Sequence, residues 1–586
     1  MLKILKHLRP SQWAMVALSM VFIVTQVWLN LKLPDYMAEI TRLVETPGSH
    51  MDDIWRQGGA MLLCAVGSLA SMVVVGFIAA RLGASLSRQL RSLQFAKVES
   101  FSMAEINHFS TASLITRSTN DVTQVQLLVT MGLQLVVSAP ITAVWAVIKI
   151  AGKGLTWSFA TGVAVAIMLV MIVAVMWFVL PKFRQMQTLT DNINGATREN
   201  LTGLRVVRAY NAESYQETKF EQANQALTNT SLFTSRAMAF LMPVMTLIMS
   251  GLSLAIYWIG AYLINSAQAV DKLTLFSNMV VFSSYAMQVI MAFMMLVMLF
   301  VMAPRAAVAA KRINEVLETQ PSITPGEQSQ GQPGLGGEIE FRNVSFKYPD
   351  SADYVLRDVS FRARRGETVA FIGSTGAGKT TLINLIPRFF DATNGQVLVD
   401  GTDVKEYTAA ALSEKIGYVP QKAVMFKASV SANVGYGDHG SQAPSAQQVA
   451  RAIAIAQGQE FVEAMDGGYD APVAQSGSNL SGGQKQRLSI ARAVCHDPEV
   501  YIFDDSFSAL DYRTDKALRT ALKQQTASVT TLIVAQRIGT IMDADQIVVL
   551  DDGQVVGTGR HATLLATCPV YKEIAESQLS EQELAA

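Results

Sequence analysis

Six long apolar runs in the first half of the chain constrain its fold more than any other feature. Each exceeds the roughly 18 residues that a helix needs to cross a bilayer, so the sequence predicts six transmembrane helices. The composition agrees, because 16% of the residues are charged against about 25% in soluble proteins. The runs, none of which contains Asp, Glu, Lys or Arg, are approximately residues 13–31, 58–80, 122–148, 154–180, 237–266 and 273–304.

Positive charge is distributed unevenly among the segments that join these runs. Residues 81–121 and 182–236 carry five and seven Lys or Arg, whereas the other three joining segments carry three, two and one. By the positive-inside rule, both long segments and both termini are predicted to be cytoplasmic in a multi-pass protein of the plasma membrane. As helix pairs, the long segments would have their apices near Ala104–Ser113 and Arg208–Gln216. We interpret the apices as levers that touch a cytoplasmic domain, with a solvated stalk as the alternative.

The chain changes character near residue 320. Residues 1–320 contain 24 Lys or Arg and 16 Asp or Glu, a net charge of +8, and the remainder contains 23 and 31, a net charge of −8. A stretch rich in Pro, Gly, Ser and Gln follows the sixth run and marks a linker. We therefore predict a transmembrane domain at 1–320, a linker at 321–337 and a second domain at 338–586, which is long enough for one α/β fold.

The charges and cysteines exclude several classes of function. The apolar runs contain no Asp, Glu or His, which ion-coupled transporters normally need within the membrane, so the driving energy must come from another source. Neither half has a Lys/Arg cluster dense enough to follow a nucleic-acid backbone, so no nucleic-acid partner is expected. Cys64, Cys495 and Cys568 are far apart, which excludes a disulfide framework and a zinc site.

Methionines recur every three or four residues along the fifth and sixth runs, so each set lies on one face of a helix. Flexible thioethers suit a surface that repacks around different ligands, and Met242, Met245, Met291 and Met298 are therefore candidates for the lining of a substrate cavity. Ordinary helix packing or contact with lipid is the alternative. The two sets are Met238, Met242, Met245 and Met249, and Met287, Met291, Met294, Met298 and Met302.

The first chemical motif of the second domain is the segment Gly373–Thr380, with the sequence GSTGAGKT. It follows the apolar run 368–372 and precedes a helix-like run, which is the strand–loop–helix context of a phosphate-binding loop. Glycines let backbone N–H groups surround phosphates, and the N-terminus of the helix adds positive potential. Lys379 would reach the β- and γ-phosphates, and Thr380 would hold Mg²⁺. The motif predicts a site for ATP and Mg²⁺.

Two further segments extend this prediction. The apolar strand 500–503 ends at Asp504, where a carboxylate can support Mg²⁺. Leu480–Gln484 places Ser-Gly-Gly at the start of a basic helix, which provides a second group of bare N–H donors for phosphate. Because one domain does not readily use two such sites on one nucleotide, we expect two domains to associate head to tail, each presenting this segment to the ATP of the other.

The phosphate loop, Gln421, Leu480–Gln484, Asp504 and Ser508–Asp511 together resemble those of an ATP-binding cassette (ABC) transporter. Six spans followed by a cassette resemble the exporter half-transporters, as does the segment Glu199–Arg208 in the second long loop. The resemblance implies an all-α six-helix transmembrane domain followed by an α/β P-loop ABC ATPase domain, in which ATP hydrolysis is coupled to transport.

The resemblance also assigns site residues. Tyr348 would stack on adenine, with a core aromatic as the alternative, and Gln421 would contact Mg²⁺ and the attacking water. The expected Mg²⁺ ligands are Thr380, Gln421 and Asp504. The expected nucleotide-binding residues are Tyr348, Gly373, Ser374, Thr375, Gly376, Ala377, Gly378, Lys379, Thr380 and Thr381, together with Ser481, Gly482, Gly483 and Gln484, which would act on the partner's ATP.

Two positions depart from the family pattern. The family places a glutamate after the strand-end aspartate as general base, but this chain has Asp505, which is one methylene shorter; an error of about an ångström can cost roughly a hundredfold in rate. The family's switch histidine is replaced by Gln536, which cannot change charge. We therefore predict that Asp505, Gln536 and Gln421 occupy the catalytic positions of a degenerate site that binds ATP and hydrolyses it weakly.

The intact Leu480–Gln484 signature implies a partner whose own site is competent. The chain thus resembles the degenerate-site subunit of heterodimeric bacterial multidrug exporters. The expected partner is a second, non-identical half-transporter, and the expected substrates are small hydrophobic or amphiphilic compounds. A lipid or peptide exporter, or a regulatory subunit that binds ATP without driving transport, is the alternative.

Overall fold

The computed structural model describes residues 2–46, 48–151, 155–437, 443–525 and 528–579. The chain divides into two compact units. The membrane unit comprises Met1–Lys97 and Ala112–Thr319, and the cassette unit comprises Val98–Thr111 and Gln320–Ala586. A short part of the first long loop therefore belongs to the cassette unit.

The first 320 residues are almost entirely helical in the part of the chain that the structure describes. Six helices are long and apolar enough to cross a membrane, which confirms the predicted number of spans. Several of them extend well beyond the apolar runs, so the long loops are continuations of the spans. The helices are α1 (Leu2–Leu5), α2 (Pro10–Glu45), α3 (Met51–Glu99), α4 (Met103–Phe109), α5 (Thr111–Thr116), α6 (Val122–Ala151), α7 (Leu155–Thr202), α8 (Leu204–Ala209), α9 (Glu213–Ser266) and α10 (Ala269–Glu318), with a π-helical turn at Arg117–Asp121.

Helix α10 lies at the centre of the membrane unit. A larger share of its span is buried than in the other five. Phe282 and Tyr285 on α10 are fully buried, and the Phe282 ring lies 5.6 Å from the ring of Trp157 on α7. The Trp157 indole donates a hydrogen bond to the carbonyl of Ile256 on α9 at 3.2 Å. These contacts join α7, α9 and α10 in one apolar core.

Two β-sheets organise the cassette unit. Its strands are β1 (Ile339–Phe346), β2 (Leu356–Ala363), β3 (Thr368–Gly373), β4 (Asn394–Val399), β5 (Thr402–Asp403), β6 (Ile416–Val419), β7 (Ala428–Ser429), β8 (Pro472–Val473), β9 (Val500–Asp504), β10 (Thr530–Val534), β11 (Gln546–Asp551) and β12 (Gln554–Gly559). The larger sheet has the order β12-β11-β3-β10-β9-β6, and the smaller antiparallel sheet has the order β2-β1-β4-β5. Only the β11–β12 pair of the larger sheet is antiparallel among the described strands.

The parallel strands determine where the site forms. β3, β10, β9 and β6 are consecutive neighbours, so the residues that follow their carboxyl ends meet at one edge of the sheet, where α/β proteins bind ligands. The helices that complete the unit are α11 (Lys379–Asn384), α12 (Ala409–Lys415), α13 (Val430–Val434), α14 (Ala446–Ile455), α15 (Gln459–Glu463), α16 (Gly482–Cys495), α17 (Tyr512–Gln525), α18 (Ile538–Ile541), α19 (His561–Thr567) and α20 (Pro569–Glu576). This α/β architecture after a six-span helical domain confirms the predicted fold class.

The stretch predicted as a linker is held against its own domain. The N–H of Gly326 donates to the carbonyl of Tyr407 at 2.9 Å, and the N–H of Gln332 donates to the carbonyl of Asp400 at 2.8 Å. A Cβ atom at Gly326 would overlap the carbonyl group of Glu406, so this close approach requires glycine. The segment is thus an ordered strap rather than a free tether.

Candidate functional site

The phosphate loop joins β3 to α11, as the sequence predicts. Gly376 and Gly378 have φ angles of 90° and 91°, a left-handed conformation that favours glycine. Ser374, Thr375 and Gly376 are exposed at the tip, whereas Ala377 and Gly378 are buried beneath it. The Lys379 ammonium donates to the carbonyl oxygens of Gly373 and Ser374 at 2.9 and 2.8 Å. A loop with an exposed backbone and a lysine held inside its curve can bind phosphate.

An oxygen pair lies beside this loop. The Thr380 hydroxyl donates to the Asp504 carboxylate at 2.9 Å, and Asp504 is only 2% exposed. Burial raises the pKa of Asp504 and outweighs the opposing hydrogen bond from Thr380. Burial also lowers the pKa of Lys379, against the opposing charges of Asp505 and Asp504. Hard oxygen atoms at this spacing fit Mg²⁺, which usually takes one or two carboxylates and completes its octahedral shell with other oxygen atoms, water and phosphate.

Two glutamines from separate segments meet at Asp505. The Gln536 side-chain amide donates to the Asp505 carboxylate at 2.8 Å, and the amide of Gln421 lies 3.4 Å from the same oxygen. Asp505 follows β9, Gln536 follows β10 and Gln421 follows β6. Because these strands are neighbours in the sheet, their order brings the three residues together. Burial raises the pKa of Asp505, although hydrogen bonds from Gln421 and Ser508 oppose it. Asp505 has a φ angle of 47°, in a region that aspartate tolerates better than most residues.

Tyr348 lies next to the phosphate loop. Its hydroxyl is 3.0 Å from the Thr381 hydroxyl in the first turn of α11. Its ring meets the rings of Phe346 and Phe390 edge-on, at 4.9 and 5.2 Å. Tyr348 is half-buried, so it belongs to a core aromatic cluster and also reaches the edge of the site.

The signature segment forms the start of α16. The Ser481 hydroxyl accepts from the N–H of Gln484 at 3.3 Å, and the Gln484 side chain accepts from the N–H of Ser481 at 2.8 Å. This reciprocal capping box fixes the helix start. Gly483 packs near Leu510, but a Cβ atom at Gly482 would meet nothing within 4 Å. No hydrogen bond in the described residues joins this segment to the phosphate loop of the same chain.

The apex of the first long loop belongs to the cassette unit, and a hydrogen-bond network anchors it there. Ser102 caps α4, and its N–H and hydroxyl both donate to Glu105 at 2.8 and 2.7 Å. The other Glu105 oxygen accepts from the N–H of Ser322 at 3.1 Å, and Ala104 packs against the cassette core. Burial acts to raise the pKa of Glu105, but the hydrogen bonds from Ser102 and Ser322 hold it below its ordinary value. The Ser-x-x-Glu pattern predicts the cap, whereas nothing in the sequence points to Ser322.

Removing this anchor should loosen the apex. We expect Glu105→Ala to speed amide hydrogen exchange across residues 103–109 by about tenfold, because the cap and the Ser322 contact are lost together. The exposed Glu99, replaced by Ala, is the control and should leave the exchange unchanged. Because the Glu105 pKa is lowered, the contribution of this carboxylate is complete at neutral pH and disappears as the pH falls through that pKa. Equal exchange rates in the two variants would show that the Glu105 contacts do not hold the apex.

The apex of the second long loop, α8, groups with the membrane unit instead. Val206, Tyr210 and Tyr215 are 60%, 80% and 69% exposed. Exposed apolar and aromatic side chains at a loop apex can take part in contacts with another protein.

The membrane unit contains a cavity of about 620 Å³ bounded by α2, α3, α6 and α10. Met291 lines it, as the methionine hypothesis expects. Met242 and Met298 are exposed, and Met245 is 2% exposed within the bundle core. None of these three lines the cavity. Met242 and Met245 lie on α9, which packs mainly against α7, and Met298 lies on α10 beyond the lining residues Met291 and Met295. At this cavity the methionine hypothesis therefore holds for Met291 and not for the other three residues.

A charged cluster within the helices is missing from the sequence prediction. The Lys149 ammonium and the Asp35 carboxylate are 2.6 Å apart, and the Tyr285 hydroxyl donates to the other Asp35 oxygen at 2.7 Å. Asp35 and Lys149 lie just past the ends of their apolar runs, but α2 and α6 continue through them. The sequence could have indicated this cluster only through the full lengths of α2 and α6, which the apolar runs underestimate.

Comparison with known proteins gives a consistent result over the whole chain. Residues 16–293 match the ABC transporter transmembrane region, and residues 356–508 match the ABC transporter model. An uncharacterized ABC transporter ATP-binding protein of Mycobacterium tuberculosis is 40% identical over 98% of this chain and 97% of its own length. An ATP-dependent lipid A-core flippase of Syntrophus aciditrophicus is 30% identical over 87% of this chain and 83% of its own length.

A solved structure of a bacterial Atm1-family ABC exporter with ATP bound shares the fold. The TM-score is 0.80, and the match covers 97% of this chain and 100% of that one. At 24% sequence identity, this likeness establishes the exporter fold and nothing finer.

Proposed function

This chain belongs to the ABC transporter family, and we propose that it is one half of a heterodimeric exporter that drives hydrophobic or amphiphilic compounds out of the cell. Its cassette and its exporter fold make it an ATP-hydrolysing transporter of the membrane. The observation that carries the finer proposal is the Asp505 carboxylate held by Gln536 at 2.8 Å, beside a complete phosphate loop and a complete signature.

In the proposed site, residues of this chain bind and orient one ATP. The backbone of Gly373–Gly378 and the Lys379 ammonium would hold the β- and γ-phosphates. Thr380, Gln421 and Asp504 would hold Mg²⁺, which when bound neutralises charge on the phosphates. Tyr348 would contact the adenine. The Asp504 carboxylate is almost fully buried and accepts a hydrogen bond from Thr380, and a bound cation would further offset the cost of burying its charge.

Two properties of Asp505 act in opposite directions on hydrolysis. A raised pKa makes it a better base than an ordinary aspartate. Its shorter side chain and its bond to Gln536 keep the carboxylate away from the position that a glutamate would reach. A general base must first lie within hydrogen-bond distance of the water, and its pKa matters only after that. Geometry therefore decides, and the site should bind ATP but hydrolyse it slowly.

The signature segment supports the need for a partner. Nothing in this chain requires glycine at position 482, because its φ is not left-handed and its surroundings are open. Because neither the backbone conformation nor the packing of this chain requires glycine at position 482, its small size fits a surface where the phosphate of a nucleotide bound by another chain approaches the backbone. A homodimer would contain two Asp505 sites and turn over slowly. A different partner with a glutamate and a histidine would supply one competent site, completed by Ser481–Gln484 of this chain.

Candidate contacts for that partner are the exposed side chains near the second apex, Val206, Tyr210 and Tyr215. In the proposed orientation both termini, both loop apices and the cassette are cytoplasmic, in agreement with the distribution of Lys and Arg. Transport would then run outward across the plasma membrane.

A lipid exporter is the second candidate function. It is favoured by the 30% identity to a lipid A-core flippase. The cavity bounded by α2, α3, α6 and α10 has a volume of about 620 Å³, within the usual range for drug-sized ligands. That volume favours small amphiphiles over a large lipid headgroup.

Uptake into inside-out membrane vesicles tests the proposal. We expect ATP-dependent uptake of hydrophobic dyes and drugs when the chain and its partner are present. Met291→Ala should change the ranking of transported compounds severalfold, because Met291 lines the cavity. Met242→Ala, on the exposed face of α9, is the matched control and should leave the ranking unchanged. Uptake restricted to lipids would instead support the second candidate.

A further inference from the structure

The cavity in the membrane unit has a polar wall without charge. Four carboxamide side chains, Gln26, Asn30, Gln134 and Gln288, contribute to its lining together with hydroxyl groups. No Asp, Glu, Lys, Arg or His is among the described residues that line it. Carboxamides both donate and accept hydrogen bonds, so this wall can match neutral polar groups of either kind.

Two charged residues on α2 adjoin lining residues without lining the cavity themselves: Lys32, whose ammonium lies 5.8 Å from the centroid of the Trp28 ring, and Asp35. Asp35 follows the lining residue Pro34 on α2, but its two oxygens are bound by the Lys149 ammonium and the Tyr285 hydroxyl, at 2.6 and 2.7 Å. The pair has no net charge, and neither partner lines the cavity. A charged ligand would therefore lose its hydration without gaining a counter-charge, which is expensive at membrane depth.

One carboxamide has an unused acceptor. Asn30 accepts a hydrogen bond from the Ser68 hydroxyl at 2.7 Å. In contrast, the side-chain oxygen of Gln26 is buried and has no hydrogen-bond partner in the described part of the chain. A buried acceptor without a partner is unfavourable, and a donor group on a ligand in the cavity could satisfy it once the Gln26 side chain turns towards that group.

The remaining wall is apolar and adaptable. Five methionines, Met37, Met61, Met72, Met291 and Met295, come from three different helices and line the same cavity. Thioether side chains adjust to ligands of different shape at low cost. The carboxamide wall thus selects the polar group of a ligand, and the methionine wall accepts apolar groups of different shapes.

We propose that this cavity binds uncharged amphiphiles that carry an N–H or O–H donor, such as a primary amide, on an apolar body, and that it discriminates against permanent cations and anions. The inference rests on the proposed function for its role in export, and it deepens that proposal by naming the substrate class. Gln26 and Gln288 are the residues that determine polarity.

Direct binding tests this without relying on transport. The full-length chain, with the half-transporter that co-purifies with it, is placed in lipid nanodiscs without ATP. Three dansyl probes share one alkyl chain and end in a carboxamide, a quaternary ammonium or a carboxylate. We expect the carboxamide probe to bind at least about tenfold more tightly than either charged probe, as measured by dansyl fluorescence.

Two variants identify the wall. Gln288→Leu should weaken carboxamide binding about tenfold, and Gln288→Glu should reverse the preference towards the ammonium probe. Gln124→Glu, on α6 outside the cavity, is the matched control and should keep the wild-type order. Equal binding of all three probes, or an unchanged order in Gln288→Glu, would overturn the inference. Probe preference without ATP-driven uptake would support the ligand class proposed for the cavity and refute the proposed export function. Uptake without probe preference would support export and refute the proposed ligand class.

Discussion

Ser481→Ala combined with Gly482→Asp should lower the ATPase rate of the assembled pair by about a hundredfold or more, whereas Asp505→Ala in the same chain should change it less than about twofold. The signature residues would contact the γ-phosphate in the partner's competent site. A carboxylate there repels phosphate and prevents close approach of the backbone. Asp505 belongs to the slow site, so its loss should cost little.

The structure provides a control for the loss of the helix cap. Ser445 caps α14 with the same geometry as Ser481, since its N–H donates to Gln448 at 2.8 Å and its hydroxyl accepts from Gln448 N–H at 3.3 Å. Ser445→Ala removes a cap without touching nucleotide and should keep the full rate. Because Gly482 faces open space, the aspartate should leave the fold of this chain intact. ATP binding at Lys379 should persist in all variants. A loss of rate in Asp505→Ala as large as in the signature variant would show that this site is catalytic.

Restoring the family residues should activate a homodimer of this chain. We expect Asp505→Glu with Gln536→His to raise its ATPase rate at least about tenfold. The longer glutamate side chain would bring the general base to the attacking water, and the histidine would restore a contact to the γ-phosphate. The gain should fall short of a fully competent enzyme. Position 505 has a φ angle of 47°. This left-handed conformation is less favourable for glutamate than for aspartate, by about 1 kcal/mol of conformational free energy.

The single changes separate the two causes. Gln536→His alone frees the Asp505 carboxylate from its 2.8 Å bond but leaves it short, so we expect little gain. Asp505→Glu alone should give part of the gain. Steady-state ATPase rates of the three purified homodimers, with ATP binding measured separately, check this order. If the double variant remains as slow as the parent, some feature other than these two residues limits hydrolysis.

The sequence predicts the phosphate loop and its surroundings well because their chemistry is local. Gly373–Thr380 carries its own turn and helix start in eight residues. Asp504 and Asp505 follow a recognisable apolar strand, and parallel strands bring their carboxyl ends to one edge of a sheet. The meeting of Asp505, Gln421 and Gln536 follows from that rule.

Contacts between distant segments are not available from such patterns. Glu105 and Ser322 are 217 residues apart, and no periodicity connects them. The methionine spacing on α9 shows that Met242, Met245 and Met249 share a face, but it does not identify the neighbour of that face. Apolar runs end at the first charge, so they place Asp35 and Lys149 in loops although α2 and α6 continue through these residues. Pairing lowers the cost of placing such charges in a helix bundle.

The need for a non-identical partner is tested by the ATPase rate of this chain purified alone, compared with that of the pair isolated from its native membrane. Both samples are placed in nanodiscs of the same lipid and measured with the same transported dye at saturating ATP and Mg²⁺. We expect the homodimer to bind ATP but to hydrolyse it at about a hundredth of the rate of the pair, with no stimulation by the dye. Full, dye-stimulated hydrolysis by the homodimer would show that the chain needs no second kind of half-transporter.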